Sequence, residues 1–263
     1  MIAALETAAT GMTAQQNNLD TIANNLANAS TAGFRERRLE FQDLIYQNII
    51  VPGSAATQQT TNSAGLQIGL GTQGASSEIL TTQGQPEQTG NPLDLAIEGH
   101  GFFQIQQPDG TLAYTRAGNF SLDNEGNLVT ADGNQLQPNI AIPSGALSVT
   151  IGSDGTVSVQ MAGQQQSQVV GQITLAEFPN PGGLESIGDN LMIPTTASGD
   201  PVIGNPGGSE GLGTIQQGML EQSNVSVVEQ FIDMIEAQQS YQANSKVVTT
   251  AQQMYQTADN MSQ

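Results

Sequence analysis

His100 is the single histidine of this chain of 263 residues and the first candidate for acid–base chemistry. It lies between two glycines in the run Glu98-Gly-His-Gly-Phe102, and this composition favours a turn over a catalytic position. A hydrolase that uses His100 stays open as an alternative, because the members of a Ser-His-Asp triad have no fixed spacing in sequence. An activity screen on peptidoglycan and peptides, with His100→Ala as the control, would address it.

Metal and cofactor chemistry has little support in the sequence. The chain contains no cysteine, which excludes disulfides and thiolate metal sites. The run that begins at Asp123, Asp-Asn-Glu-Gly, lacks the alternating carboxylates and distal glutamate of a calcium loop and is better interpreted as a turn. No P-loop sequence occurs. We therefore predict no catalytic, cofactor-binding or metal-binding residues, and a protein that is not an enzyme.

Three of the five basic residues lie together at Arg35, Arg37 and Arg38, among several acidic residues. This pattern favours a salt-bridged surface near the end of a helix over an anion site. In an acidic polymer, the same arginines could also pair with carboxylates of a neighbouring chain.

The charge balance excludes several classes of partner. There are 24 acidic and 5 basic residues, which gives a formal net charge of −19, although only 11% of residues are charged. Such a chain repels nucleic acid and anionic lipid. No apolar stretch is long enough to span a membrane. The first residues lack the basic region of a Sec signal peptide, so we expect any export to read an uncleaved N-terminus.

Apolar residues of the N-terminal segment recur with the periodicity of a helix that has an apolar stripe along one side. Leucine or methionine recurs every seven residues at Leu5, Met12, Leu19 and Leu26, and a second row contains Ile2, Ala9 and Ala23. This is an a/d stripe of three to four heptads. A helix stop follows, with Gly33 in a C-terminal cap region.

The C-terminal segment repeats the pattern. One seven-residue row contains Val227, Met234, Tyr241, Val248 and Tyr255, with Val228, Phe231 and Ile235 beside it. Ser223 and Ser226 are candidate N-caps, and Glu229 could complete a capping box with Ser226. No glycine or proline occurs from 219 to 263, so we expect a helix of about 35 residues. Two helices packed on their own core would explain both stripes; antiparallel pairing followed by packing on neighbouring chains would bury more apolar area.

The middle of the chain is typical of β structure. Three similar units, at Pro108, Asn124 and Ser153, place an acidic residue and a glycine before a β-forming residue, which is hairpin chemistry. The predicted strands are Phe102–Ile105, Leu112–Thr115, Asn127–Thr130, Val149–Ile151, Val157–Gln160 and Ile173–Phe178. The stretches 47–88 and 180–213, rich in Gly and in Gln/Thr/Ser or Pro, have the composition of loops or linkers.

Several of these segments resemble the flagellar basal-body rod and hook proteins. They are Asn24–Phe34, the run Phe41-Gln-Asp-Leu-Ile, the motif Ser223-Asn-Val with Val228, Glu229, Met234, Ile235, Tyr241, Asn244–Lys246 and Met254, and the central runs Ala96–Phe103 and Tyr114–Phe120. The resemblance covers essentially the whole chain. Within the family the chain is most similar to distal rod proteins, because the insert Tyr46–Gln73 resembles the segment that marks them; a proximal rod subunit is the alternative.

The resemblance implies an α+β fold with long terminal helices that form a coiled coil around a central, mainly antiparallel β domain. We expect the N-terminal helix and motif at 1–45, an extended loop or β-hairpin insert at 46–75, the β domain at 76–215 and the C-terminal helix at 216–263. The implied assembly interface comprises Leu5, Met12, Leu19, Asn24, Asn25, Leu26, Asn28, Gly33, Phe34, Phe41, Pro52, Gly53, Gly65, Leu66, Ile68, Val227, Phe231, Met234, Tyr241, Asn244, Val248 and Tyr255.

The function that this resemblance implies is a self-assembling drive shaft, a helical tube that crosses the periplasm to the outer membrane and transmits torque from motor to hook around the export channel. The implied partners are copies of the same chain, proximal rod and hook proteins, the peptidoglycan-layer and outer-membrane rings, and the flagellar type III export apparatus. A secreted β-rich adhesin or binding module is the rival from another class. Its aromatic content of 4% argues against a ligand groove.

Overall fold

A computed structural model describes residues 2–52, 64–163, 166–208 and 211–262. The chain divides into two compact units. The helical unit consists of Met1–Ala27, Arg37–Glu78 and Ser226–Gln263. The β unit consists of Asn28–Glu36 and Ile79–Val225. Each unit therefore combines segments that are far apart in sequence.

Both terminal helices are present where the heptad pattern predicts them. Helix α1 spans Ile2–Ala27, and helix α2 spans Val227–Ser262, a length of 36 residues. Ser226 precedes α2, and its Oγ accepts a bond from the Glu229 amide at 3.5 Å, as expected of an N-cap. The helices form because their sequences carry apolar periodicity without an interior proline.

Outside the undescribed stretch 53–63, the helical unit also contains four strands: β1 (Arg37–Asp43), β2 (Tyr46–Ile50), β3 (Leu66–Gly69) and β4 (Thr72–Ile79). Strand β1 pairs with β4, and β2 pairs antiparallel with β3. The interpretation of 47–88 as a loop or linker is therefore wrong for much of that stretch. A ladder needs backbone hydrogen bonds rather than apolar side chains, and threonine favours strands, so a polar composition did not prevent pairing.

The described residues of the β unit form sixteen further strands. They are β5 (Pro86–Gln88), β6 (Leu95–Glu98), β7 (Phe102–Gln106), β8 (Leu112–Thr115), β9 (Ser121–Leu122), β10 (Leu128–Val129), β11 (Gln135–Gln137), β12 (Ala146–Ile151), β13 (Thr156–Met161), β14 (Gln168–Gln172), β15 (Leu175–Glu177), β16 (Glu185–Gly188), β17 (Leu191–Ile193), β18 (Val202–Gly204), β19 (Thr214–Gln217) and β20 (Met219–Glu221).

One antiparallel sheet of nine strands dominates the β unit. Its order is β16-β17-β8-β7-β11-β10-β9, with β15 joined to both β7 and β18. Three smaller groups, β12-β13-β14, β19-β6 and β20-β5, are also antiparallel. All six predicted strands are found; Leu112–Thr115 has the predicted ends, and the other five have shifted ends. The interpretation of 180–213 as a loop is wrong in part, because its short apolar runs pair as β16, β17 and β18 on the large sheet.

The predicted hairpin turns are confirmed. They join β7 to β8, β9 to β10 and β12 to β13, and the glycine of each has a positive φ, at Gly110, Gly126 and Gly155. An aspartate closes each turn: Asp109 Oδ1 accepts from the Thr111 amide at 2.9 Å, for example. Glycine is needed because this left-handed conformation strains other residues.

The core of the β unit lies on both faces of the large sheet, because side chains alternate along a strand. Phe103 and Ile105 of β7 join the larger cluster, in which the Phe103 and Phe120 rings meet edge to face at 5.3 Å. Phe102 joins a smaller cluster that includes Tyr114 and Phe178. These two clusters hold the large sheet and its neighbouring segments together.

Candidate functional site

Groups able to do chemistry are not clustered. In the described ranges, no set of three or more His, Cys, Asp or Glu residues is placed to hold a metal ion. His100 is exposed, and its backbone forms a bridge with Leu212. The Asp123 carboxylate accepts bonds from its own turn, including the Asn127 amide and side chain at 2.8 Å each. Two other features are notable: exposed apolar side chains on the helical unit, and a buried group of charged side chains in the β unit.

Helices α1 and α2 pack antiparallel within the helical unit. Asn25 Nδ2 donates to Gln230 Oε1 at 3.1 Å near one end of the seam, and Gly11 faces Asn244 nearer the other. Apart from Ile22, the most buried side chains along this seam are small or polar. They are Ala8, Ala14, Ile22 and Asn25 of α1, and Gln230, Ala237 and Ala251 of α2.

This seam is offset from the stripes seen in the sequence. Leu5, Met12, Leu19 and Leu26 are half-buried, whereas Ala9 and Ala23 of the second row are exposed. On α2 the predicted row is split: Met234 and Val248 are half-buried, while Val227, Tyr241 and Tyr255 are exposed. Its partner row is Gln230, Ala237, Asn244 and Ala251, residues that an apolar pattern search misses.

Small residues let the two helices approach closely. A Cβ atom at Gly11 would lie 2.8 Å from Nδ2 of Asn244, closer than real Cβ contacts. Glycine costs helix stability relative to alanine, by about 1 kcal/mol. Its presence in α1 is therefore explained by close packing against α2.

Because the seam uses small residues, large apolar side chains of α2 remain outside it. We call the following group the apolar face of α2: Val227, Val228, Phe231, Ile232 and Ile235. Phe231 is 49% and Ile235 53% exposed. A concentration of large apolar side chains on nine consecutive residues is unusual on a chain that works alone, and it is typical of interaction surfaces.

Strands β2 and β3 carry a second exposed apolar group. Its members are Tyr46, Ile49 and Ile50 of β2, with Leu66 and Ile68 of β3. Pro52 and Gly65 flank this ladder and are exposed, and Gly65 is packed against the Pro52 ring and the Ile50 carbonyl. Gly53 lies outside the described residues. Phe41, on the neighbouring strand β1, is 41% exposed.

The asparagines of the N-terminal motif have local structural roles. Asn25 is buried, and its side chain makes two hydrogen bonds to the backbone of Arg37. Nδ2 of Asn25 donates to the Arg37 carbonyl at 2.8 Å, and Oδ1 accepts from the Arg37 backbone amide at 3.0 Å. It thereby fixes strand β1 to helix α1. Asn28 begins the turn after α1, where its carbonyl accepts from the Thr31 amide at 3.1 Å. Asn24 is exposed.

Asn224, which sequence reasoning placed only within a motif, connects three backbone segments of the β unit. Its Oδ1 accepts from the Glu36 amide at 2.7 Å, and its Nδ2 donates to the carbonyls of Leu80 and Thr82. The segment 28–36 is thereby held beside 80–82 and the end of the unit.

A buried charge cluster lies in the β unit, and we call Arg35, Arg116 and Glu221 the charge cluster. Glu221 is 1% exposed, and its Oε1 is 2.8 Å from Nη2 of Arg35, while Oε2 is 3.4 Å from Nε of Arg116. Oε1 also accepts from the Gly84 amide at 2.9 Å. Burial lowers the pKa of Arg35, and it lowers the pKa of Arg116 to about 10, although Glu221 opposes both shifts.

The prediction of a salt-bridged arginine surface is therefore wrong for Arg35. It holds for Arg38, which pairs with Glu40 at 2.7 Å and with Glu78 at 3.2 Å on an exposed face. Arg35 turns inward because its partner Glu221 lies 186 positions later, in a strand that only the tertiary structure brings near. No local sequence pattern pairs these two residues, so the sequence offered no signal for this ion pair.

Gly33 and Phe34 complete the entry into the β unit. Gly33 has a φ of +71°, and its amide donates to the Glu221 carbonyl at 2.8 Å. A Cβ atom there would lie 2.4 Å from the Ala117 nitrogen, so glycine is required both by conformation and by space. Phe34 is half-buried. The structure therefore gives Gly33 and Asn25 roles inside the chain.

Neither helix combines the length and apolarity needed to cross a membrane, as judged over the residues that the structure describes. Three family models match the chain. They are the "Flagella basal body rod protein" model over residues 5–35, the "Flagellar hook protein FlgE/F/G D1 domain" over 96–159 and the "Flagellar basal body rod FlgEFG protein C-terminal" over 216–261.

Full-length relatives are similar throughout. A protein of Caulobacter vibrioides named "Flagellar basal-body rod protein FlgG" is 48% identical over 98% of both chains. Proteins of the same name from Borreliella burgdorferi and Bacillus subtilis are 46% and 42% identical, each over 99% of both chains.

Proposed function

This chain belongs to the flagellar basal-body rod protein family and is a structural subunit of the distal rod, not an enzyme, and from that premise we propose that its copies stack helically into a rigid tube. Its place is the flagellar basal body, where it assembles with other rod and hook components. We infer that the tube transmits torque from the motor to the hook and surrounds the export channel.

The proposed partners follow from that position. They are further copies of the chain, proximal rod proteins, the hook protein, the peptidoglycan-layer and outer-membrane ring proteins and the type III export apparatus. The tube would span the periplasm to the outer membrane, and its subunits would be exported without a cleaved signal peptide.

The observation that best supports helical stacking is the apolar face of α2. Five large apolar side chains remain on the surface after α1 and α2 have packed, so the pair has apolar area left for other copies. Each fully buried side chain of this size contributes about 1.5–3 kcal/mol. These side chains are already partly buried, at 42–71% exposure, so association through this face would gain roughly half of that for each, against the cost of bringing two chains together.

We propose that α1 and α2 act as a two-stranded antiparallel coiled coil. Buried or half-buried positions of α2 at 230, 234, 237, 244, 248 and 251 are spaced by four, three, seven, four and three residues, which is heptad spacing with one interruption at the exposed Tyr241. In this scheme, 1–45 and 216–263 supply the coiled-coil domain, 46–75 the insert and 76–215 the β domain.

We further propose that the insert makes the contacts that stiffen the tube. A drive shaft and a bending hook are both helical stacks, so stiffness has to come from additional contacts between neighbours. The exposed ladder of β2 and β3 offers apolar side chains for such contacts, and Gly65 permits a close backbone approach.

The test of helical stacking is to place a charge on the apolar face of α2. Phe231→Asp and Ile235→Asp alter side chains that are about half exposed, so the isolated chain should lose little stability, within about 1 kcal/mol. A charge buried in a subunit interface without a partner costs several kcal/mol, so rods should not form. Motility and electron microscopy of purified basal bodies provide the measurements.

Ser240→Asp is the matched control, because Ser240 is exposed on the same helix and the change adds the same charge, while its position nine residues after Phe231 places it on the opposite side of α2 at about 100° per residue. Rods of normal length in either apolar-face variant would show that this face is not an assembly surface.

A further inference from the structure

The chain contains three Asp-Gly pairs, and in each pair the aspartate is exposed on a turn of the β unit: Asp109-Gly110, Asp132-Gly133 and Asp154-Gly155. In each turn the glycine amide donates to the carbonyl three residues before it, at 2.9, 3.0 and 3.0 Å in chain order. The φ angles of the three glycines are +85°, +84° and +82°. The backbones of the three turns are therefore alike, and a difference in their reactivity has to come from side chains.

An aspartate that precedes glycine can isomerise without an enzyme, because glycine has no side chain to crowd its nitrogen. That nitrogen attacks Cγ of the aspartate and closes a five-membered imide, while the carboxyl hydroxyl leaves with the amide proton as water. Water then opens the imide at the other carbonyl and breaks the original peptide C–N bond, so that the main chain runs through Cγ. No atom is gained or lost overall, and the reaction requires a carboxyl group that is free to turn toward the nitrogen.

Hydrogen bonds hold two of the three carboxylates away from this reaction. Oδ1 of Asp109 accepts from the Thr111 amide at 2.9 Å and from the Thr111 hydroxyl at 2.6 Å. Asp154 accepts from the amide and the hydroxyl of Thr156, at 3.0 and 2.8 Å. The Thr111 hydroxyl is the main cause that lowers the pKa of Asp109, and the Thr156 amide is the main cause that lowers the pKa of Asp154. The neutral carboxyl, which is the form that loses water, is therefore rarer in both turns.

The third carboxylate, that of Asp132, accepts no hydrogen bond from the residues that the structure describes. The position after its glycine is Asn134 rather than threonine, so no hydroxyl is available there. The Asn134 amide donates instead to Oγ1 of Thr130, at 3.2 Å. The turn is also open in space, because a Cβ atom built at Gly133 would meet no described side chain or backbone within 4 Å beyond its chain neighbours.

We propose that Asp132 is a site of spontaneous isomerisation, at which aspartate converts to isoaspartate while Asp109 and Asp154 are protected. The conversion adds one methylene to the main chain of the turn between β10 and β11, and it leaves an α-carboxylate on the surface. A hydrogen bond to a charged group shifts an equilibrium by about tenfold or more, so Asp132 should isomerise about ten times faster than either of the other two.

The test ages the full-length monomer at neutral pH and physiological temperature. Peptide mapping with electron-transfer mass spectrometry distinguishes aspartate from isoaspartate and measures the rate at each of the three turns. Product should accumulate at Asp132 about ten times faster than at Asp109 or Asp154. Asp132→Glu is the matched control, because it keeps the charge but would have to close a six-membered imide, so the product at this turn should disappear.

Two further variants test the cause of the difference. Thr111→Val alters an exposed side chain and removes the hydroxyl that binds Asp109, so it should accelerate isomerisation of Asp109, with Asp154 of the same chain as the internal reference. Asn134→Thr supplies the missing hydroxyl beside Asp132 and should slow the reaction there. Near-UV circular dichroism establishes that each variant is folded, and Thr111→Val keeps the test decisive if Asn134→Thr does not fold.

A synthetic peptide with the sequence of residues 128–136 is aged beside the protein, because its free chain shows that the conditions allow the reaction. Equal rates at the three turns, or a faster rate at Asp109 or Asp154, would overturn the proposal. So would the absence of product at Asp132 under conditions that isomerise the peptide, since the fold would then protect this turn as well. An unchanged rate at Asp109 in folded Thr111→Val would refute the protective role of the hydroxyl.

Discussion

Replacement of Glu221 by glutamine tests whether the charge cluster holds the β unit together. Glutamine has nearly the same shape and can still accept the bond from the Gly84 amide, so the substitution removes the negative charge and little else. It leaves Arg35 and Arg116, which are 8% and 4% exposed, without a counter-ion.

The expected cost follows from burial. Removal of one member of a buried ion pair destabilises a protein by about 3–5 kcal/mol, because the remaining charge is desolvated and unpaired. For a unit of this size, each kcal/mol lowers the melting temperature by about 2–4 °C, so a decrease of about 6–20 °C is expected. Arg38→Gln breaks ion pairs in which the arginine side chain is 58% exposed, and should cost no more than about 1 kcal/mol.

Urea unfolding of the purified monomer, followed by near-UV circular dichroism, measures both changes. The triple replacement Glu221→Leu, Arg35→Met and Arg116→Met provides a second measurement. Apolar groups leave no buried charge, so part of the lost stability should return. The recovery should be incomplete, because the Gly84 amide and the carbonyls of Thr82 and Gly99 lose their side-chain partners. A Glu221→Gln variant within about 1 kcal/mol of the wild type would refute this account of the charge cluster.

Three other predictions concern the helix seam, the insert and a turn. Gly11→Leu should destabilise the helical unit by about 1–3 kcal/mol in urea unfolding, because it forces the helices apart, whereas Ala9→Leu on the exposed face should not. Deletion of Pro52–Gln67 should leave a chain that exports and polymerises into bent or compliant rods; straight, stiff rods under the electron microscope would contradict the stiffening role. The hydrogen bond from the Asn127 side chain is the main cause that lowers the pKa of Asp123 below its usual 3.8. This bond therefore stabilises the fold above pH 3.8, and its contribution is lost as the pH falls through the folded pKa. Asn127→Ala should raise the pKa of Asp123 in a carboxyl NMR titration, and an unchanged pKa would contradict the assignment.

Features that depend on neighbouring residues could be predicted from the sequence alone. The heptad spacing and the absence of glycine and proline determined helix α2, and capping chemistry narrowed its N-cap to Ser223 or Ser226. The structure selects Ser226, directly before Val227. The three turns at Gly110, Gly126 and Gly155 follow from glycine's tolerance of positive φ. The strands in 180–213 were missed because short, glycine-rich runs gain stability only from the sheet that receives them.

Features that depend on residues far apart in the chain required the tertiary structure. The apolar stripes identified the helices but not the faces that meet, because the seam is made of small and polar residues such as Gly11 and Asn244, whose value lies in close approach. Likewise, Arg35 and Glu221 carry no local pattern that pairs them, and their ion pair exists because a buried charge is stable only where the fold supplies a counter-charge. The sequence by itself therefore determined the family, the helices and the turns, while the tertiary structure decided which side chains are buried together and which remain available for assembly.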